Sequence, residues 1–168
     1  MQTQELTTAA PSKELFIKMV ISGWDTHYAR VNKIFDSLTD DQLKAEVAPG
    51  KNTGVYLLGH LVAVTDGMLP ILGLGEKLYP QLEEPFIKAA DKSGYQFPSI
   101  DELKQYWKKV NETLSAGINK MEPSDWFSKH TLVSDTDFAK EPHRNKLNII
   151  INRTNHQAYH LGQLVFLQ

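Results

Sequence analysis

Ser12–Leu38 reads SKELFIKMVISGWDTHYARVNKIFDSL, and within it Phe16, Val20, Trp24, Tyr28, Val31, Phe35 and Leu38 recur every three or four positions. That spacing is the stripe of an amphipathic helix, helix one, rather than the alternation of a strand. Thr39 followed by Gln42 has the form of a capping box, which predicts a short helical turn before Pro49 and Gly50 break the chain. From Asn52 and Thr53 a second stripe, Leu57, Leu58, Leu61, Val64, Thr65 and Met68, runs to Pro70, which ends or kinks helix two. Ser99 and Glu102 form another capping box, and Leu103, Tyr106, Val110, Leu114, Gly117 and Met121 carry helix three. Helix four extends from about Asn145 to Gln168, its apolar arc centred on Leu147, Ile151, Ala158, Leu161 and Val165.

Pro70 to Pro98 holds four of the eight prolines and three of the ten glycines, a density that disfavours any long regular element. Bundle connections usually take about 2 to 8 residues, so this stretch reads as a crossover that lets helices two and three run parallel. Pro123 to Pro142 forms a second irregular connection, with a short turn at Ser124 to Phe127, and a β-hairpin in either connection stays open. The expectation is an all-α four-helix bundle with a long crossover between helices two and three, one domain over residues 1–168.

Eighteen Lys and Arg against twenty Asp and Glu give a net charge of −2, which offers no basic field for nucleic acid. No cysteine is present, which excludes a disulfide scaffold and a thiol nucleophile. The first ten residues hold no basic cluster and no apolar run, so no secretory signal is read and a cytoplasmic location is expected. The apolar stretches around Val55–Val64 and Leu147–Ile151 fall short of the roughly 20 residues of a membrane span, and no membrane partner is expected.

His156 and His160 are four residues apart on helix four, about 40° around the axis and ~6 Å along it, so both can reach one ion. They lie at the edge of the apolar arc, beside Ile149, Leu164 and Leu167, a position that suits the wall of a cleft. His60 has Leu57 and Val64 on its own face, and an imidazole buried there needs a partner, since an unsatisfied polar group costs roughly 1–3 kcal/mol. Three imidazoles on one divalent ion leave a coordination position free. The other reading is a surface histidine pair and an ordinary core histidine. Asp66, about 240° around the helix from His60, should point elsewhere.

Trp24, His27 and Tyr28 share a face of helix one and are candidates for pocket lining, with plain bundle packing as the alternative. His130 and His143 lie in a polar loop and are expected to be solvated. No Gly-rich phosphate loop and no G-x-S-x-G turn is present, and Gln157 stands where a zinc protease of the H-E-x-x-H type has its glutamate. Gly162 costs a helix about 1 kcal/mol relative to Ala, which predicts a packing demand. Gln163, three residues after His160, either fixes the imidazole's tautomer or faces solvent.

Taken together, His60 followed by Leu61 in helix two and His156-x-x-x-His160-x-Gly162-Gln163 in helix four resemble the DinB-like (YfiT-type) family of four-helix-bundle metalloenzymes. The resemblance covers nearly the whole chain in helix order, and the C-terminal motif is its specific part. It implies His60, His156 and His160 as metal ligands, zinc or nickel as the ion, Gly162 as a close-packing residue, Gln163 near the site and a homodimer. It also implies transfer of a low-molecular-weight thiol, such as bacillithiol or mycothiol, to an electrophilic small molecule. A metal-dependent hydrolase and a metal-free helical protein that binds partners or dimerises are the alternatives.

Overall fold

The computed structural model describes residues 12–168; the first ten residues, read above for a targeting signal, lie outside them. The described residues form seven α-helices: α1 (Lys13–Ser37), α2 (Asp40–Lys44), α3 (Gly54–Asp66), α4 (Met68–Leu72), α5 (Ile100–Ile118), α6 (Asp135–Lys140) and α7 (Lys146–Leu164). They contain no strand, only isolated bridges between Glu46 and Thr53 and between Lys129 and Asn145, so neither long connection holds a hairpin. Both expected capping boxes form, Thr39 with Gln42 ahead of α2 and Ser99 with Glu102 ahead of α5. Ser12, Thr53 and Asn145 cap α1, α3 and α7 through their side-chain oxygens, each worth about 1 kcal/mol.

Two apolar clusters set the helix directions. In one, Phe35 and Leu38 at the end of α1 meet Leu57 and Leu58 early in α3, Leu103 and Trp107 early in α5, and Leu164 at the end of α7. In the other, Ile17 and Trp24 of α1 meet Met68 and Leu72 of α4, Leu114 and Ile118 late in α5, and Leu147 and Ile150 early in α7. Helices α3 and α5 therefore run parallel to each other, and α1 and α7 run parallel to each other in the opposite sense. The crossover expected between helices two and three makes that arrangement possible.

The crossover is stitched to α3 along its length. The Asp66 carboxylate, buried at the end of α3, accepts the backbone N–H groups of Leu78 and Tyr79, both at 2.8 Å. Two short turns follow, a 3-10 turn at Pro80–Leu82 and a π-helical turn at Glu84–Lys88. Tyr56 then donates its hydroxyl to the Ala89 carbonyl at 2.8 Å, and Asp91 accepts from the backbone and the hydroxyl of Thr53. Proline keeps the segment out of a long helix, and side chains of α3 replace the backbone ladder it lacks.

Three expectations are corrected. Phe16 is 49% exposed, and its neighbour Ile17 takes the core position beside Ile118 and Trp126. Both phases of the stripe are apolar there, so the partner surface decides. The buried side of α7 is Leu147, Ile150, Gln157, His160 and Leu164, not the arc through Ile151, Ala158 and Val165. The helix is rolled by most of one residue's step of about 100°, which turns the histidines inward. Finally, Gly54–Leu72, helices α3 and α4 together, is long and apolar enough by length and composition to cross a membrane, contrary to the expectation that no segment is. Of that window 67% is buried inside the fold, the condition of a core helix that is apolar all round.

Candidate metal centre

Helices α3 and α7 bring His60, His156 and His160 together, with one ligating nitrogen from each within 4.8 Å of the others. The Nε2 of His156 lies 3.2 Å from Nε2 of His60 and 3.1 Å from Nε2 of His160. The remaining nitrogens of the outer two are fixed. His60 donates Nδ1–H to the Phe86 carbonyl at 2.7 Å, and His160 donates Nδ1–H to Oε1 of Gln163 at 2.7 Å. Both therefore present a bare Nε2 lone pair to His156, whose own Nε2 carries at most one proton for two contacts.

Hydrogen bonds alone leave this cluster short of a donor. A divalent ion resolves the shortage, and the spacing suits one: around a tetrahedral ion with nitrogens at about 2.0–2.1 Å, neighbouring ligands lie roughly 3.3 Å apart. Burial lowers all three imidazoles from their ordinary value of 6.5, with His156 falling furthest, to about 4, because His160, His60 and Arg153 add repulsion to its desolvation. The cluster is thus neutral at neutral pH, the form in which imidazole binds metal. Nδ1 of His156 is buried without a partner among the described residues.

Gly59 controls the contact behind His60. A methyl group there would overlap the Phe86 ring, so only glycine lets the π-helical turn lie close enough for its carbonyl to meet Nδ1 of His60. Gly59→Ala is expected to lower stability by about 1–3 kcal/mol in thermal or urea unfolding and to weaken metal binding at the same time. Unchanged metal affinity would show that the Phe86 carbonyl does not matter to the site. Gln163 follows the second-partner reading of the sequence. Gln163→Ala is expected to weaken the metal about 10–100-fold in a chelator competition without changing the fold.

Gly162 does not match its expectation. A methyl group there would meet nothing within 4 Å among the described residues, so no packing demand holds it. Gly162→Ala should raise the unfolding free energy by up to about 1 kcal/mol, as expected for an exposed helix position, and a loss of stability would point to a hidden neighbour.

Beside the triad lies a cleft of about 340 Å³ lined by Ala63, Val64, Lys77, Glu83, Ile87 and Arg153 together with His60 and His156. Lys77 and Glu83 form an ion pair across it, and Lys88 approaches Glu83 at 3.6 Å. Trp24, His27 and Tyr28 are placed elsewhere. Trp24 packs in the second apolar cluster, His27 bonds the Gly23 carbonyl at 2.9 Å, and Tyr28 leans on Trp107 with ring centroids 5.7 Å apart. His130 is buried rather than solvated, and its Nδ1 accepts the Leu132 N–H at 3.3 Å. The loop expectation failed there because the segment folds back onto α4, with Thr131 bonded to the Pro70 and Ile71 carbonyls.

Sequence reasoning missed Phe86, Lys77, Glu83 and Arg153. For Arg153 a signal existed, since it stands three residues before His156 on the same face. The others come from the crossover, where no periodicity indicates which side chain turns inward. Asp66 points away from the triad, as its helical phase required.

An all-α fold that gathers three histidines from two helices at the wall of a cleft defines a helical protein with a candidate metal centre. The sequence profile of the DinB superfamily matches residues 24–164, and the chain belongs to that superfamily. Comparison with curated proteins gives no match.

Proposed function

We propose that the protein is a metal-dependent enzyme that transfers a low-molecular-weight thiol to electrophilic small molecules. The triad carries this reading: three imidazole nitrogens face one point beside a cleft, and no fourth His, Cys, Asp or Glu among the described residues joins them. Three neutral ligands and an open position are the pattern of catalytic rather than structural sites. A divalent ion held there, zinc or nickel in keeping with the family resemblance, supplies the positive charge that lowers a thiol's pKa and so favours the nucleophilic thiolate.

The chain's own residues do the rest. Phe86 and Gln163 hold two imidazoles in the ligating tautomer, and Ala63, Val64 and Ile87 give the electrophile an apolar wall. Hydrolysis needs a base for water, and the lining offers only Glu83. Its hydrogen bond to Lys77 holds that carboxyl below the ordinary range, which makes it a poor proton acceptor. Gln157 is buried and does not line the cleft.

The test begins with elemental analysis of protein purified without a histidine tag. Metal-loaded protein is then incubated with a halogenated arene or an alkylating agent and with bacillithiol, mycothiol, glutathione and coenzyme A in turn. Conjugation that requires both the metal and His160 is the expected result. Ester or amide cleavage without conjugation would replace this reading by a hydrolase, and protein without metal or either activity would be a binding protein.

A further inference from the structure

Arg153 stands in the triad cleft one helical turn before His156. It is partly buried, and among the described residues its guanidinium has no hydrogen bond, ion pair or aromatic partner. Burial pulls its pKa down, yet a guanidinium stays charged in proteins. The neighbouring cation, Lys77, is already neutralised by Glu83. Of the charged side chains lining the cleft, Lys77 and Glu83 are paired with each other, and Arg153 has no ion-pair partner among the described residues.

We propose that Arg153 receives a carboxylate carried by the small molecule that enters the cleft. A planar fork of N–H donors matches a carboxylate in two parallel hydrogen bonds. A carboxylate brings a single negative charge into a cleft that Glu83 also lines, and so meets less repulsion there than a dianionic phosphate would. Arg153 and His156 are separated by about 4.5 Å along the axis of α7, so the carboxylate sits a few bonds from the ligand atom that reaches the triad. This orientation rests on reading the triad as a metal centre; the carboxylate contact belongs to Arg153 alone.

The experiment compares two thiols of equal length, 3-mercaptopropionate and 3-mercaptopropan-1-ol, titrated into cobalt(II)-loaded protein and followed by thiolate-to-cobalt absorption. The acid should bind roughly 10–100-fold more tightly, as expected for a charge-assisted hydrogen bond to a guanidinium. Arg153→Gln should cut that preference at least about tenfold with cobalt content unchanged, and Arg153→Lys should keep part of it. Equal affinities in the unmodified protein, or a preference untouched by Arg153→Gln, would overturn the proposal.

A second measurement separates it from the metal reading. Propionate is titrated into metal-free protein while the Arg153 Nε–H resonance, assigned by its loss in Arg153→Lys, is followed by NMR. A saturable shift supports the proposal even if the protein takes up no cobalt, an outcome that would sink the metal reading alone. A resonance that propionate leaves unmoved in protein that binds cobalt would sink the Arg153 proposal and leave the metal centre standing.

Discussion

His156→Ala is expected to leave the purified protein without a bound divalent ion and without any metal-dependent rise in its unfolding midpoint. Among the three imidazoles, His156 is the one whose Nε2 contacts both others, at 3.2 and 3.1 Å. Changes to groups that merely orient a ligand cost about 10–100-fold in affinity, so loss of one of three ligands should exceed that range. The metal-free protein should behave differently. His156 is the least satisfied member, with a buried unpartnered Nδ1 and an Nε2 crowded by two lone pairs, so its removal relieves strain of the kind often stored at functional sites. Metal-free His156→Ala should therefore unfold at the same temperature as the metal-free parent or higher. If His60→Ala, His156→Ala and His160→Ala each kept the parent's metal content, the triad would not be the binding site.

Acidification should act on the same cluster in two separable ways. In the metal-free fold His156 titrates at about 4 instead of 6.5, and His60 and His160 are shifted in the same direction by their burial. Above the ordinary value both folded and unfolded chains hold neutral imidazoles, and these groups contribute no pH dependence. As pH falls from 6.5 towards 4 the unfolded chain binds protons that the fold refuses, so stability declines through that window and levels off below it. Metal binding to the folded protein should respond later. Because the folded imidazoles are already deprotonated, affinity should stay flat from about pH 8 to 6.5 and fall only as pH approaches the lowered values. An exposed histidine pair would instead lose affinity as soon as pH drops below about 6.5. Competition titrations across pH 5–8 distinguish the two, and a steep loss between pH 7 and 6 would contradict the buried, neutral triad.

Much of the fold was legible because helices announce themselves locally. The stripes in Ser12–Leu38 and Leu103–Val110, the capping boxes at Thr39 and Ser99, and the proline density after Pro70 each depend on residues a few positions apart. The triad was legible for a related reason. His156 and His160 share a helix, so their spacing alone puts them side by side, and the Gly162-Gln163 motif joined them to His60 by resemblance.

What the sequence by itself determined, then, is the all-α character and the positions of the long helices, because these follow from helical period and capping, together with the side-by-side placing of His156 and His160; His60 joined them through the family resemblance. What only the tertiary structure decided is which side of each stripe is buried and what stands behind the histidines. Ile17 displaced Phe16, and α7 rolled to bury Gln157 and His160, because burial depends on the surface a helix meets and not on its own pattern. Phe86 reaches His60 across twenty-six positions, and its approach depends on Gly59 lacking a side chain. Lys77, Glu83 and Arg153 line one cleft from the crossover and α7 for the same reason: long-range contacts are set by packing, and no local pattern encodes them.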